Sequence, residues 1–76
     1  MTFLHKTALI TGATRGSGFA IAEAFASRGA NTILVGRDSV RVDKAEKAFT
    51  SKYGEGHQGV TLDVASATDI EIIMKV

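Results

Sequence analysis

The sequence predicts an α/β fold: a parallel sheet whose strands alternate with helices laid against it. Three observations carry that prediction. Short apolar or β-branched runs recur at residues 7–10, 32–35 and 59–62. Between them lie segments with apolar residues at helical spacing, and glycines mark the changeovers. Strands that alternate with helices pair in parallel through right-handed crossovers. The expected order is β-α-β-α-β-α within a single partial domain spanning residues 1–76.

Residues 7–10 form an apolar run ending near Gly12, as expected for a strand covered on both faces. A helix is expected over 17–28. Ile21, Ala22 and Phe25 share one face, Glu23 and Arg28 look outward, and Gly29 supplies the stop. Residues 32–35 are β-branched and leucine, ended by Gly36, and give the second strand. Asp38 or Ser39 can cap a second helix running to about Tyr53, with Val42, Ala45, Phe49 and Tyr53 as its apolar stripe. Residues 54–59 read as a polar loop. A third strand over 59–62 ends at Asp63 and Val64. Ser66 with Asp69 resembles an N-terminal capping pair, and Ile70, Ile73 and Met74 would be the buried face of a third helix.

Composition excludes several classes of function. The chain has 76 residues, 45% hydrophobic and 22% charged, the balance of a globular protein. At this size a chain buries only about 60% of its extended surface, so the core is marginal. The formal net charge is +1 and the basic residues are dispersed, which argues against nucleic-acid or membrane-surface partners. Cysteine is absent, and His5 and His57 stand far apart without further ligand spacing, so no disulfide and no metal site is expected. The first six residues are too short for the apolar region of a signal peptide, and no apolar run is long enough to span a bilayer. A soluble cytoplasmic protein is expected, with a mitochondrial location left open.

The segment between first strand and first helix carries the chemistry. Gly12 can take a tight turn with positive φ. Gly16, lacking a side chain, would let a pyrophosphate approach the main chain, and Gly18 would let the helix lie close on the strand. The first helical turn presents amide N–H groups and the positive end of the helix dipole to an anion. Gly12, Thr14, Arg15, Gly16, Ser17 and Gly18 of this loop are the candidate binding residues. The spacing is not G-x-G-x-x-G, and no Gly-Lys-Ser/Thr follows.

Thr11-Gly12-x-x-x-Gly16-x-Gly18 resembles the T-G-x-x-x-G-x-G motif of classical short-chain dehydrogenases/reductases. The stretches "ALITGATRGSG" and "GANTILVGRD" are similar to that family's first two strands, and Asp63-Val64 matches its third-strand Asp-Val. The resemblance implies the N-terminal part of a Rossmann-type doubly wound sheet, with hydride transfer between NAD(P) and a carbonyl or alcohol in the parent enzyme. It further implies that Asp63 bonds the adenine amino group, that Val64 contributes its backbone and that Thr11 braces the loop. Ser17 departs from the aliphatic residue usual in the family. The nearest branch is that of the 3-oxoacyl-[acyl-carrier-protein] reductases.

The residue ending the second strand bears on the cofactor. A carboxylate there would accept hydrogen bonds from a ribose 2′-hydroxyl and repel a 2′-phosphate. Gly36 and then Arg37 stand at that place, so the repulsion is absent and a guanidinium is at hand. Arg15 resembles a second basic position of NADP-using members, and Ser39 offers a hydroxyl. Asp38 argues the other way but fits a helix cap. NADP(H) is expected in preference to NAD(H).

The family's catalytic Asn-Ser-Tyr-Lys set is not matched. Tyr53 is the single tyrosine, and four residues on, where lysine is required, stands His57. No catalytic residue is assigned, Tyr53 reads as a packing residue, and the chain alone is expected not to transfer hydride. The resemblance covers about the first third of a family member, which suggests a truncated piece of a parent that is a homo-oligomer. In that fold the first strand is central, so its edge at residues 8–10 is expected to lie unpaired and the isolated piece to be poorly stable. An alternative fits the same residues: a non-enzymatic nucleotide-binding or interaction module that docks on a full-length relative through this sheet edge.

Overall fold

The computed structural model describes residues 2–14 and 16–62, and the backbone of 72–75. Strand β1 (Thr7–Thr11) leads through the glycine loop into helix α1 (Gly16–Ser27). Strand β2 (Asn31–Gly36), helix α2 (Ser39–Tyr53) and strand β3 (His57–Thr61) follow, and strand β4 (Ile72–Lys75) closes the order. The sheet runs β3-β2-β1-β4. β1 lies parallel to β2 with Thr7 opposite Asn31, and β2 lies parallel to β3 with Thr32 opposite His57. These three strands form the parallel α/β sheet expected of the alternation.

Ala8, Ile10 and Leu34 of the sheet pack with Ala22 and Ala26 of α1 and with Ala45 and Phe49 of α2 in one buried cluster. The alternate positions Leu9 and Ile33 are only half-buried. β1 is therefore fully covered on one face, not on both. Alanines supply most of the helical side of this core, so both helices lie close to the strands. Phe49 fills the remaining volume, meeting Phe19, Tyr53 and His57 edge-on at centroid distances of 5.5, 5.3 and 5.7 Å.

The ends of the elements have local causes. Gly29 takes φ 92° after α1. Asp38 is the N-cap of α2, its Oδ1 accepting the amides of Val40 at 2.9 Å and Arg41 at 3.4 Å. Glu23 does not simply look outward. Its Oε2 accepts from the Tyr53 hydroxyl at 3.0 Å and from Lys52 Nζ at 3.2 Å, tying α1 to the end of α2. The Lys52 and Tyr53 hydrogen bonds hold the Glu23 carboxyl below its ordinary range.

Two further expectations are corrected. The third strand begins at His57, inside the stretch read as loop, and Leu62 lies beyond it, half exposed. Gly59 is a strand residue because α2 lies on it: a Cβ there would stand 2.7 Å from Val42 Cγ1. Its amide donates to Glu46 Oε1 at 2.6 Å, which satisfies a donor on the edge strand. The larger correction concerns residues 72–75. Ile73 and Met74, expected on a third helix, lie in β4, antiparallel to β1 with Ile10 opposite Ile72 and Ala8 opposite Met74. The edge at residues 8–10 is thus paired, not open, and the docking edge invoked for an interaction module is occupied. Ser66, Asp69 and Ile70 lie outside the described residues.

His57 Nδ1 lies 2.7 Å from Thr32 Oγ1 against the Phe49 ring, and burial lowers its pKa from the ordinary value of 6.5. The unfolded chain therefore binds the proton more readily than the folded one. The contribution to stability is full above pH 6.5 and is lost as the pH falls through the lowered folded value. Thermal melts between pH 7.5 and about 5 should show the native chain losing more stability than His57→Gln. Parallel curves would contradict this.

Candidate functional site

The site is built where β1 and β2 end and α1 begins. Gly12 and Gly16 both have φ 62°, the left-handed region that side chains avoid. Between them Ala13 is fully buried, and its amide donates to the Val35 carbonyl at 3.1 Å. That bond moors the loop to the end of β2. A Cβ on Gly18 would collide with the carbonyl oxygen of Gly12. The helix can start this close to the strand only because residue 18 has no side chain. Around Gly16 the reverse holds: it is exposed, with nothing within 4 Å of where a Cβ would stand.

The three glycines therefore answer three separate demands. One makes the turn, one leaves open space at the mouth of the helix, and one permits close packing. Ser17, beside Gly16, is exposed, while Thr14 is half-buried. By helix geometry the first amides of α1 have no acceptor within the helix, and they point out of the end of the sheet beside the open space. An anion there would meet donors and a favourable dipole.

Arg37 follows β2 at the same end of the sheet and is exposed, with no ion-pair partner among the described residues. Asp38, the acidic neighbour that seemed to oppose a phosphate, is engaged elsewhere. One oxygen caps α2, and the other lies 3.6 Å from Arg41 Nε. Arg41 was not singled out from the sequence; its spacing of three from the cap was the available signal. Arg15, Asp63 and Val64 lie outside the described residues.

The structure brings Gly12, Thr14, Gly16, Ser17, Gly18 and Arg37 to one end of the sheet. Tyr53 is elsewhere. It meets Phe49 edge-on and hydrogen-bonds Glu23, as a packing residue would. A shallow depression at the opposite end is bordered by Asn31, Thr32, Gly56 and His57. Among the described residues no group of histidine, aspartate and glutamate is placed to hold a metal, and no helix is long and apolar enough to cross a membrane.

A family model described as short chain dehydrogenase matches residues 6–76. The chain belongs to the short-chain dehydrogenase family. Among individual relatives it is 38% identical over 65 residues to the 3-oxoacyl-[acyl-carrier-protein] reductase FabG of Aquifex aeolicus, covering 86% of this chain and 26% of that one. It is 34% identical over 67 residues to the chloroplastic chlorophyll(ide) b reductase NOL of rice, Oryza sativa subsp. japonica, covering 87% and 20%. The L-sorbose reductase of Gluconobacter frateurii, solved with NADPH and L-sorbose, superposes with a TM-score of 0.81 at 41% identity, covering 87% of this chain and 25% of that one. The short-chain dehydrogenase segment thus spans about a quarter of the length of the relatives it matches.

Gly18→Ala should destabilise the chain by about 1–3 kcal/mol, since a backbone carbonyl must move. Gly16→Ala has only the left-handed backbone against it and should cost about 1 kcal/mol. Urea unfolding of both variants checks the order, and a Gly16 variant that is the less stable would contradict it.

Proposed function

We propose that the chain binds the adenosine and pyrophosphate half of NADP(H) and forms the N-terminal cofactor-binding segment of a short-chain reductase. The observation that carries this is the open, positively polarised mouth of α1 at Gly16, moored beside Arg37. Gly12, Gly16, Ser17 and Gly18 shape and line the pyrophosphate site, with Thr14 and Arg15 on the same loop. Arg37 takes the 2′-phosphate, aided by Arg15, while Asp63 and Val64 hold the adenine. A dinucleotide's anionic centre matches main-chain donors at a helix start, and a guanidinium fork matches a phosphate dianion.

The parent activity is NADPH-dependent reduction of a carbonyl. A 3-oxoacyl thioester is one substrate class consistent with the FabG similarity, and a homo-oligomer is the parent's form. The bound cofactor would supply hydride. This chain's own residues orient and neutralise its adenosine end. Because Tyr53 is followed at the fourth position by His57 rather than lysine, the 76 residues carry no proton donor of the family's kind and do not complete the reaction. The residues 1–76 are read as one partial domain with a binding role.

Calorimetric titration with NADP+ and NAD+ tests the reading. Arg37→Glu should weaken NADP+ at least about tenfold, or about 1.4 kcal/mol. NAD+ should change by less than about threefold, on the scale of a screened surface charge. Equal losses for the two cofactors would contradict the role of Arg37, and turnover of NADPH by the purified chain would contradict its binding-only character.

A further inference from the structure

Gly36 is a glycine for want of space, not for backbone freedom. It is buried at the end of β2, and its φ lies outside the left-handed region. A Cβ there would stand 2.7 Å from Thr14 Cγ2, 3.3 Å from Thr14 Oγ1 and 3.0 Å from Val42 Cγ2. Carbon atoms in ordinary contact are about 3.5–4.0 Å apart. The glycine loop and α2 thus close the position from two sides.

Turning Thr14 about χ1 leaves at least one of its two branches over Gly36, since both stand there now. Retreat of the loop is opposed by the Ala13–Val35 hydrogen bond one residue away. Position 36 is also where an acidic side chain would select a ribose 2′-hydroxyl.

We propose that Thr14 is a specificity-determining positioning residue: by filling the space over Gly36 it bars a carboxylate from the end of β2 and keeps the site open to a 2′-phosphate. This rests on the cofactor reading above. Thr14 acts through position 36, so its effect on the ratio of two nucleotide affinities shows only when an acid stands at 36, and not in stability alone. An acid placed at 36 is forced out of line and displaces the loop. It selects the 2′-hydroxyl only after Thr14 is cut back.

The probes are adenosine 2′,5′-bisphosphate and adenosine 5′-monophosphate, titrated into the native chain, Gly36→Asp, Thr14→Ala and the double variant. The native chain and Thr14→Ala should favour the bisphosphate about tenfold or more. Gly36→Asp should lose about tenfold for both nucleotides through the displaced loop. The double variant should recover the monophosphate and prefer it by about fivefold. A Gly36→Asp chain that already prefers the monophosphate, or a double variant that recovers nothing, overturns the proposal.

Should the aspartate variants fail to fold, melts of Gly36→Ala, Thr14→Ala and their combination read the same packing. Gly36→Ala should melt about 5 °C lower, and Thr14→Ala should return at least half of that loss. Additive losses overturn the proposal. A native chain that binds neither nucleotide overturns the cofactor reading and this one together. Discrimination without coupling between residues 14 and 36 overturns this one alone.

Discussion

The closeness of Gly18 to the Gly12 carbonyl is the constraint on which the rest of the structure depends. It sets α1 down at the end of β1 with no side chain between them, so the first helical amides open at the end of the sheet. Ala13 is then buried, and its amide reaches the Val35 carbonyl. That bond fixes Thr14 over Gly36, and Gly36 in turn presents Arg37 to solvent. The proposed site and the core share one set of contacts here. A chain of this size, with alanines for much of its helical core, has little stability to spare if any of them is lost.

Much of this was legible in the sequence because local chemistry and tertiary role agree. The glycine spacing predicted a turn and a close packing, which the φ of Gly12 and the crowding at Gly18 match, while Gly16 has open space where a Cβ would stand. The α2 stripe of Val42, Ala45 and Phe49 is buried as its periodicity required, and Asp38 caps that helix. The space over Gly36 was not legible. A glycine ending a strand reads as permissive, and only the fold brings Thr14 and Val42 against it. Asp38 was ambiguous for a similar reason: its charge is visible in the sequence, but its commitment to the helix amides and Arg41 is not.

The failures lie where tertiary demand overrides periodicity. Ile70, Ile73 and Met74 have helical spacing, yet Ile72, Ile73 and Met74 also form a continuous apolar run with two β-branched members. Such a run is as good a strand as a helix face. The second edge of β1 offers it a row of unpaired backbone groups, and in the structure Ile72–Lys75 takes that edge in antiparallel register. At β3, two glycines obscured a strand. Gly56 precedes it, and Gly59 stands within it because α2 packs against the strand there. Glycine marks both the turn and the close approach, and spacing alone does not separate the two uses.

The central claim is that the cofactor end of this sheet is the mouth of α1. The most direct measurement is a set of 1H–15N amide shifts recorded while NADP+ is titrated into the chain. The account predicts that the amides of Gly16, Ser17, Gly18, Gly36 and Arg37 move together along one saturating curve. Shifts confined to Asn31, His57 and Gln58 at the other end of the sheet, with the glycine loop unmoved, would contradict it.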